Sequence, residues 1–478
     1  QGFLPESQCG FRKERGTADM VFAARQLQEK CQEQNLDLFS TYVDLTKAFD
    51  TVSREGLWRI MAKYGCPPKF VTIVRLLHDG MMARVQDDGS VSEPFLVSNG
   101  VKQGCVLAPT LFSMMFSAML TAAFTDTDLG IGIRYRMDGS VFNLRRLQAK
   151  TKVKRDTINE FLFADDCALN STSADIMQQN VDKFSEACTD FGLTISIKKT
   201  EVLHQPAPGK PYTEPNIIIN GQRLKAVDKF TYLGSTLSRN VVIDDEVDAR
   251  LAKANSAFGR LSKNVWQRRG IKTETKIKVY RAAVLTTLLY GSETWTVYQR
   301  HAAKLNQFHT KHLRKLLGIK WQDKIPDTVV LTRAGLPSIH TLLKKHQLRW
   351  AGHVARMPNN RLPKKLLFGE LQCGIRTPAG PKKRFKDTLK ASLKAFSINA
   401  STWEQAAQNR SEWRAALHNG AEAYEAERIA TAVKKRQARK LSSEPCPLPA
   451  TIPCPKCKRT FRARIGLTSH LRTHIKDD

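Results

Sequence analysis

The feature that most constrains the fold is a short apolar segment interrupted by two adjacent acids, Phe-Leu-Phe-Ala-Asp-Asp-Cys-Ala-Leu at residues 161–169. Neither apolar run is long enough for a helix, so the pattern predicts a tight β-hairpin with Asp165 and Asp166 at or near its turn. Adjacent side chains on a regular strand point to opposite faces, so two neighbouring carboxylates converge on one ion only where the chain turns. The segment therefore indicates either a divalent-cation site or an ordinary turn, in which Asp is a favoured residue.

A third acid, Asp44, follows a predicted buried strand. Residues 39–43 are mostly β-branched or aromatic, and Ser53 precedes a helical apolar pattern in the manner of an N-cap. Asp44 thus falls at a strand end. Because a two-metal site takes oxygen ligands from separate segments, Asp44 is the expected third ligand beside Asp165 and Asp166.

Two other segments carry glycines or basic residues. Residues 99–109, with Gly100 and Gly104, leave room for a large group to approach the backbone and lead into a predicted apolar helix over 110–124. Residues 8–17 form a basic loop before a predicted helix. Arg12 and Arg15 in that loop indicate either phosphate contacts or solvated charges beside a turn.

The composition indicates a polyanionic partner. The chain carries 76 Lys+Arg against 45 Asp+Glu, a formal net charge of +31, and nucleic acid fits this balance best. The most apolar run, residues 107–124, is interrupted by proline, threonine and serine, so no membrane span is predicted. The ten cysteines are scattered apart from the last two, which favours reduced thiols inside a cell.

The C-terminus has the ligand spacing of a Cys2His2 zinc site. The four candidate ligands are Cys454, Cys457, His470 and His474. A module this short has too little core to fold without a metal, so Zn²⁺ would supply its folding energy. Its base-contact positions fall on Ala463, Gly466 and Ser469, two of which lack a hydrogen-bonding side chain, so we expect affinity with little sequence discrimination.

Between these segments the pattern is mainly helical. The predicted helices over residues 241–318 carry a basic face for a duplex backbone, or alternatively a merely solvated one. The residues of this basic face are Lys253, Arg260, Lys263, Arg268, Arg269, Lys272, Lys276 and Lys278. Residues 320–440 predict further helices with basic connections, including a long helix from about residue 421 that ends in the basic run 434–440. That run suits either nucleic acid or nuclear import.

Taken in order, these motifs resemble the reverse transcriptase of non-LTR (LINE-type) retrotransposons. The matching motifs are QCGFRKERGT at 8–17, DLTKAFD at 44–50, NGVKQGCVLAP at 99–109, FADD at 163–166, GLTISIKKTE at 192–201 and YLGS at 232–235. YGSETW at 290–295 and LRWAGHVARM at 348–357 also resemble the tails of such elements, without indicating a mechanism.

The resemblance implies an α+β fold built on a right-hand polymerase. Partial fingers and a palm would occupy residues 1–240, a helical thumb 241–318 and a basic helical region 319–441. A proline-rich linker over 442–453 and a ββα zinc finger over 454–474 would come after them. The implied activity is RNA-directed DNA synthesis for target-primed reverse transcription in the nucleus, on an RNA template, a DNA primer or target and deoxynucleoside triphosphates.

The resemblance also implies roles for individual residues. Asp44, Asp165 and Asp166 match the carboxylates that hold two Mg²⁺ ions, and Lys199 matches the lysine that protonates pyrophosphate. The nucleotide-binding and primer-grip positions correspond to Phe49, a steric gate against ribose, to Gln103 and Gly104, and to Tyr232, Leu233 and Gly234.

One departure leaves other functions open. In this family the first finger blocks precede the QCGFR motif, where only seven residues stand here, so we expect part of the fingers to be missing. The alternatives are a truncated, inactive nucleic-acid-binding remnant and a zinc-finger nucleic-acid-binding protein.

Overall fold

The computed structural model describes residues 4–124, 129–376, 382–442, 452–471 and 474. The chain divides into two compact units, Gln1–Tyr424 and Glu425–Asp478. Helices and sheets both contribute, in agreement with the α+β prediction.

Sixteen α-helices and two π-helical segments are present in the described residues. The π-helical segments are Ser262–Trp266 and Tyr280–Leu285. The α-helices are α1 (Thr17–Glu33), α2 (Arg54–Lys63), α3 (Pro68–Leu76), α4 (Ala108–Phe124), α5 (Ala174–Asp190), α6 (Asp244–Arg260), α7 (Thr273–Val279), α8 (Thr286–Leu288), α9 (Gln299–Leu316), α10 (Asp327–Ala334), α11 (Ile339–Arg356), α12 (Leu362–Phe368), α13 (Phe385–Ala395), α14 (Trp403–Ala406), α15 (Arg410–Ser442) and α16 (Arg464–Leu471).

The strands of the described residues form one five-stranded sheet and several sheets of two or three strands. They are β1 (Leu38–Val43), β2 (Met82–Ala83), β3 (Gln86–Asp87), β4 (Ser90–Val91), β5 (Phe95–Leu96), β6 (Ile131–Tyr135), β7 (Lys154–Ile158), β8 (Glu160–Phe163), β9 (Asp166–Ser171), β10 (Glu201–Gln205), β11 (Ile218–Ile219), β12 (Gln222–Arg223), β13 (Lys225–Ala226), β14 (Lys229–Tyr232), β15 (Ser235–Ser238), β16 (Gly369–Leu371), β17 (Ile452–Pro453) and β18 (Thr460–Phe461).

The largest sheet has five strands in the order β13-β10-β1-β9-β8, with β1 antiparallel to both of its neighbours. Side chains of β1 alternate between two hydrophobic cores. Phe39 and Val43 pack with residues of α4 and α5, whereas Leu38 and Tyr42 pack with residues of α1. Because both faces are covered, every residue of β1 is buried, which explains its uninterrupted β-forming sequence.

Local signals in the sequence were good guides to several elements. Ser53 caps α2, with its hydroxyl accepting a hydrogen bond from the Gly56 amide at 3.3 Å. The Asn220-Gly221 turn joins β11 to β12, and both turn residues have positive φ as a type I′ turn requires. The long C-terminal helix begins at Arg410, eleven residues before the expected start near 421.

The segment expected as a separate region from residue 319 shares cores with the N-terminal half. Strand β16 pairs with β6, so the three-stranded sheet β16-β6-β7 draws on both. Leu366 and Leu371 lie in the same core as Met20 of α1. Glu370 on β16 forms buried ion pairs with Lys30 at 3.2 Å and Lys386 at 2.8 Å, which hold the pKa of Glu370 well below its usual range despite burial.

Helices α6 to α11 contribute to a third hydrophobic core, which includes Phe258, Tyr280 and Leu305. Of the eight basic residues expected on one face, all are exposed except Lys276. The Lys276 ammonium instead donates to the Trp266 carbonyl at 2.7 Å, so this residue holds the π-helical turn in place. Most of the predicted linker, residues 443–451, lies outside the described residues. No helix of the described chain combines the length and apolar character needed to cross a membrane.

Substitution of Phe22 on α1 tests whether the N-terminal half and the segment from residue 319 share a core. Its fully buried ring meets Trp350 at 5.4 Å and Phe385 at 5.1 Å, both edge-to-face. We expect Phe22→Ala to lower the free energy of unfolding by about 3–5 kcal/mol, through lost burial and a residual cavity. Urea unfolding followed by tryptophan fluorescence measures this.

Phe70→Ala is the matched control, because Phe70 on α3 is 42% exposed. Its cost should stay within about 0.5 kcal/mol, as for most surface changes. Equal effects of the two substitutions would contradict the shared core.

Candidate active site

The three aspartates lie at one end of the five-stranded sheet. The antiparallel register of β1 and β9 pairs Val43 with Cys167. One step further along, the same register brings Asp44, after the end of β1, opposite Asp166, the first residue of β9. Asp165 stands in the turn immediately before. Strand pairing thus gathers acids from two separate segments, as the spacing predicted.

The hairpin that carries two of these acids has a two-residue turn. Phe163 of β8 pairs with Asp166 of β9, leaving Ala164 and Asp165 between them. Ala164 has a φ of 59°, a left-handed conformation that is uncommon for a residue with a side chain. The expected hairpin is therefore present, and its turn is conformationally demanding.

The carboxylates disfavour one another's ionised forms. Burial, then the charges of Asp165 and Asp44, raise the pKa of Asp166 to about 6. Burial also raises the pKa of Asp165, with a further contribution from Asp44. Carboxylates that repel each other at neutral pH are stabilised by a cation, and acidic oxygens are what Mg²⁺ prefers, so this donor set fits a divalent ion.

Lys199 is brought to the same place by the loop before β10. Its ammonium lies 3.6 Å from an Asp44 carboxylate oxygen, with the lysine side chain 74% exposed. The loop is tied to Asp44 by two hydrogen bonds: the Ser196 amide donates to the Asp44 carbonyl at 2.8 Å, and the Asp44 amide donates to the Thr200 hydroxyl at 3.3 Å. An ion pair this exposed contributes little stability, which leaves Lys199 free to serve another partner.

The expected nucleotide-binding residues lie on two connected loops. The Phe49 ring is half-buried and stacks on Phe112 of α4 at 4.5 Å. The Val101 amide donates to the Phe49 carbonyl at 2.9 Å, which joins the loop after β1 to the one before α4. Gln103 and Gly104 on the second loop are exposed, and a Cβ at Gly104 would meet nothing within 4 Å. The backbone there is open to a ligand.

The expected primer-grip residues form the β14–β15 hairpin. Leu233 and Gly234 make its turn, both with positive φ. Tyr232 is buried, and its hydroxyl donates to the Phe161 carbonyl of β8 at 3.3 Å. This hydrogen bond connects the hairpin to the strand that leads into the aspartate turn.

Sequence reasoning missed the charged cluster beneath that hairpin. Glu246 of α6 is fully buried and accepts hydrogen bonds from the Thr236 amide at 2.5 Å and the Ser235 hydroxyl at 3.2 Å. Arg250 pairs with Glu246 at 2.9 Å, and Arg25 of α1 donates to the Ser235 hydroxyl and Thr236 carbonyl at 2.9 Å each. In the sequence, Glu246 had the appearance of an ordinary acid in the first turn of a helix.

Tyr290, the first residue of the YGSETW motif, contacts the same hairpin. Its hydroxyl donates to the Leu233 carbonyl at 2.9 Å, and its ring lies 3.5 Å from where a Cβ on Gly234 would stand. The Arg250 guanidinium covers the ring at 4.9 Å and also donates to the Gly234 carbonyl. The motif therefore has a structural role that its sequence alone did not indicate.

The second unit gathers the four predicted zinc ligands. One ligand atom from each of Cys454, Cys457, His470 and His474 lies within 4.8 Å of the others. Strands β17 and β18 pair, and α16 begins at Arg464, as a ββα module requires. Two thiols and two imidazoles this close together could hold one metal ion.

The carboxylate repulsion gives a pH-dependent test. Because the folded state raises the pKa of Asp166 from 3.8 to about 6, its contribution to stability is lost as pH rises between those values. In metal-free protein at pH 7.5, Asp165→Asn removes one charge, so we expect its unfolding midpoint to rise by about 1–2 °C. Near pH 4.5 the difference in unfolding midpoint should disappear, because Asp166 of the wild type is then protonated and no longer repels Asp165.

Excess Mg²⁺ should reverse the order at pH 7.5, because the ion stabilises the wild type through ligands that the variant lacks. Asp88→Asn, at an exposed turn between β3 and β4, is the control and should shift nothing. A stabilisation by Asp165→Asn that is equal at both pH values would show that repulsion is not its cause. Differential scanning fluorimetry suffices for the comparison.

Comparison with known proteins shows what the first half of the chain is similar to. Residues 2–237 match the family "Reverse transcriptase (RNA-dependent DNA polymerase)". The RNA-directed DNA polymerase from mobile element jockey of Drosophila melanogaster is 23% identical over 68% of this chain and 33% of its own length. Its Drosophila funebris counterpart is 23% identical over 81% of this chain and 39% of its own length.

A third relative, the Pol polyprotein of the type-2 retrotransposable element R2DM from Drosophila melanogaster, is 25% identical over 49% of this chain and 20% of its own length. Among solved structures, telomerase from Candida tropicalis covers 76% of this chain and 53% of its own at 12% identity, with a TM-score of 0.33, too low to support an argument. The chain spans between a third and two fifths of the jockey polymerases. Residues 2–237 of this chain are thus similar to reverse transcriptases, and its relatives are named as an RNA-directed DNA polymerase from mobile element jockey and a retrovirus-related Pol polyprotein from a type-2 retrotransposable element.

Proposed function

We propose that this chain is an RNA-directed DNA polymerase that performs metal-dependent nucleotidyl transfer for target-primed reverse transcription. The observation that carries the proposal is the gathering of Asp44, Asp165 and Asp166 at one sheet end within the segment that is similar to reverse transcriptases. The proposed substrates are an RNA template, a DNA primer or target, and deoxynucleoside triphosphates, and the proposed site of action is the nucleus.

In this proposal the three aspartates hold two Mg²⁺ ions. Such a pair of ions stabilises both the attacking and the departing oxygen of an in-line displacement. The protein's part is to supply acids whose pKa values are raised by burial and then by neighbouring carboxylates, both of which a bound cation would offset. Lys199 would deliver a proton to the departing pyrophosphate, and its exposure and its 3.6 Å distance from Asp44 support this role.

Selection of the nucleotide is assigned to the loops after β1 and before α4. Phe49 is the proposed steric gate, since its stacking on Phe112 fixes a bulky ring that a ribose 2′-hydroxyl would meet. Gln103 and Gly104 offer open backbone and an amide to the incoming nucleotide.

Duplex binding is assigned to the β14–β15 hairpin and the helices after it. Residues 1–240 would be the palm with partial fingers, and 241–318 the thumb. Tyr232, Leu233 and Gly234 would grip the primer strand, and their attachment to β8 through the Tyr232 hydroxyl links that grip to the aspartate turn. The exposed basic residues of α6 to α7 suit a phosphate backbone, because sequence-independent contacts of this kind are made by Lys and Arg.

Primer extension on an RNA template with Mg²⁺ tests the polymerase. We expect Asp165→Ala to reduce extension by about 10²–10³-fold, the scale for losing one charge-stabilising group in an active site. Asp88→Asn serves again as the control and should extend normally. Binding of RNA by the wild type with no extension by any version would instead favour the inactive, nucleic-acid-binding remnant.

For the second unit we propose a Zn²⁺-dependent ββα finger that adds nucleic-acid affinity. The fit rests on the four ligand atoms already within 4.8 Å and on a fold with little apolar core of its own. Phe461 contributes to that core, with its ring 4.8 Å from the His470 ring. Because α16 begins at Arg464, its base-facing positions fall on small side chains, in keeping with weak discrimination among sequences.

Zinc removal from the full chain tests this unit. Substituting Co²⁺ should give the absorption of a tetrahedral S₂N₂ ion with about one equivalent bound. Cys457→Ser should abolish that absorption and weaken nucleic-acid binding, whereas Cys373→Ser, at an exposed cysteine of the first unit, should change neither. An unchanged Co²⁺ absorption spectrum from Cys457→Ser would contradict the assignment of the metal site.

A further inference from the structure

The loop over residues 7–10 packs against the hairpin that carries Asp165 and Asp166. The Leu162 amide donates to the Ser7 carbonyl at 3.0 Å, and the Cys9 amide donates to the Leu162 carbonyl at 2.9 Å. Gln8 therefore runs parallel to β8 along its free edge. The first motif of the sequence thus touches the fourth, although nothing in their local patterns indicates a contact.

The Gln8 side chain is fully buried and reaches the aspartate turn. Its amide nitrogen donates to the Ala164 carbonyl at 3.1 Å, and its amide oxygen accepts from the Ala164 amide at 3.0 Å. The same oxygen accepts from the Gly10 amide at 2.8 Å. One side-chain amide thus satisfies both backbone groups of the turn residue with φ of 59°, a conformation that persists only when its surroundings hold it.

Gly10 makes the approach possible. A Cβ at this position would lie 2.1 Å from the Ala164 nitrogen and 2.7 Å from the Ala164 Cα, so even a methyl group would displace the turn. Arg12 fixes the loop from the other side, donating to the Pro5 carbonyl at 2.6 Å and the Gln8 carbonyl at 3.0 Å. Arg15 pairs with Glu6 at 3.0 Å. These two arginines hold the loop itself, a role that neither sequence interpretation included.

The turn needs such support because Ala164 holds a left-handed conformation and Asp165 comes directly after it. Among the contacts of the described residues, the Gln8 amide is the side chain that grips the Ala164 backbone on both its donor and acceptor sides.

We propose that Gln8 is a positioning residue that holds the Ala164 backbone, and through it the Asp165 carboxylate, in the geometry that binds a divalent cation. Gly10 acts with it by leaving the space into which the turn fits. This inference rests on the proposed function, in that it takes Asp165 as a metal ligand. Neither residue touches substrate or metal.

Equilibrium Mn²⁺ binding to the full, Zn²⁺-loaded chain tests the inference without requiring catalysis. Free Mn²⁺ is followed by electron paramagnetic resonance, and Asp165→Asn defines the signal that belongs to the aspartate site. Gln8→Met keeps the side-chain volume and removes the three hydrogen bonds of the side-chain amide. We expect it to weaken Asp165-dependent Mn²⁺ binding about 10-fold, as for loss of a group that orients a ligand.

Matched controls separate positioning from general damage to the loop. Ser7→Ala removes a hydrogen bond of the same loop to Glu160, made at 2.8 Å, and should bind Mn²⁺ as the wild type does. Gly10→Ala should weaken binding as Gln8→Met does. Gly16→Ala, where the nearest atom to a new Cβ is 3.9 Å away, should not. If Gln8→Met fails to fold, Mn²⁺ binding by Gly10→Ala tests the inference in its place.

Two failures remain distinguishable. If the wild type and Asp165→Asn bind Mn²⁺ alike, the metal site is absent and the proposed function falls together with this inference. If Asp165→Asn loses the ion while folded Gln8→Met and Gly10→Ala retain wild-type affinity, the polymerase proposal stands and the positioning role is wrong. A loss in Ser7→Ala equal to that in Gln8→Met would also overturn it.

Discussion

Mutual repulsion of three carboxylates is the constraint around which this structure is arranged. Asp44, Asp165 and Asp166 come from two segments and meet at one end of a sheet, where burial and proximity raise two of their pKa values. Such a cluster costs stability when no cation is bound. The surrounding contacts are those of a scaffold that resists this force: the β1–β9 register, the turn at Ala164 and the Gln8 amide.

The β14–β15 hairpin is also held in place by contacts from several elements. Its turn is held from below by Glu246, from the side by Arg25 and Arg250, and from the end by Tyr290. A buried carboxylate is tolerated there because two guanidiniums and two further hydrogen-bond donors satisfy it. The elements nearest the proposed chemistry are thus tied to helices on several sides.

Local chemistry in the sequence predicted local structure well. The Asp165–Asp166 hairpin, the buried strand before Asp44 and the Ser53 cap each depend on neighbours in the chain, and each is present. This local chemistry did not predict contacts between segments that are distant in the chain. Glu246 resembles any acid at a helix start, and Gln8 any polar loop residue, until pairing places Ser235 and Ala164 beside them.

The placement of β16 beside β6 has a consequence for inheritance of the coding sequence. Phe22 and Ile133, from the half with all three aspartates, are covered by residues encoded much later, including Phe385 and Leu371. A stop codon just after YLGS would retain all three aspartates and yet leave this apolar surface exposed to water. We expect lesions far downstream to silence a gene copy as surely as those that strike the aspartates.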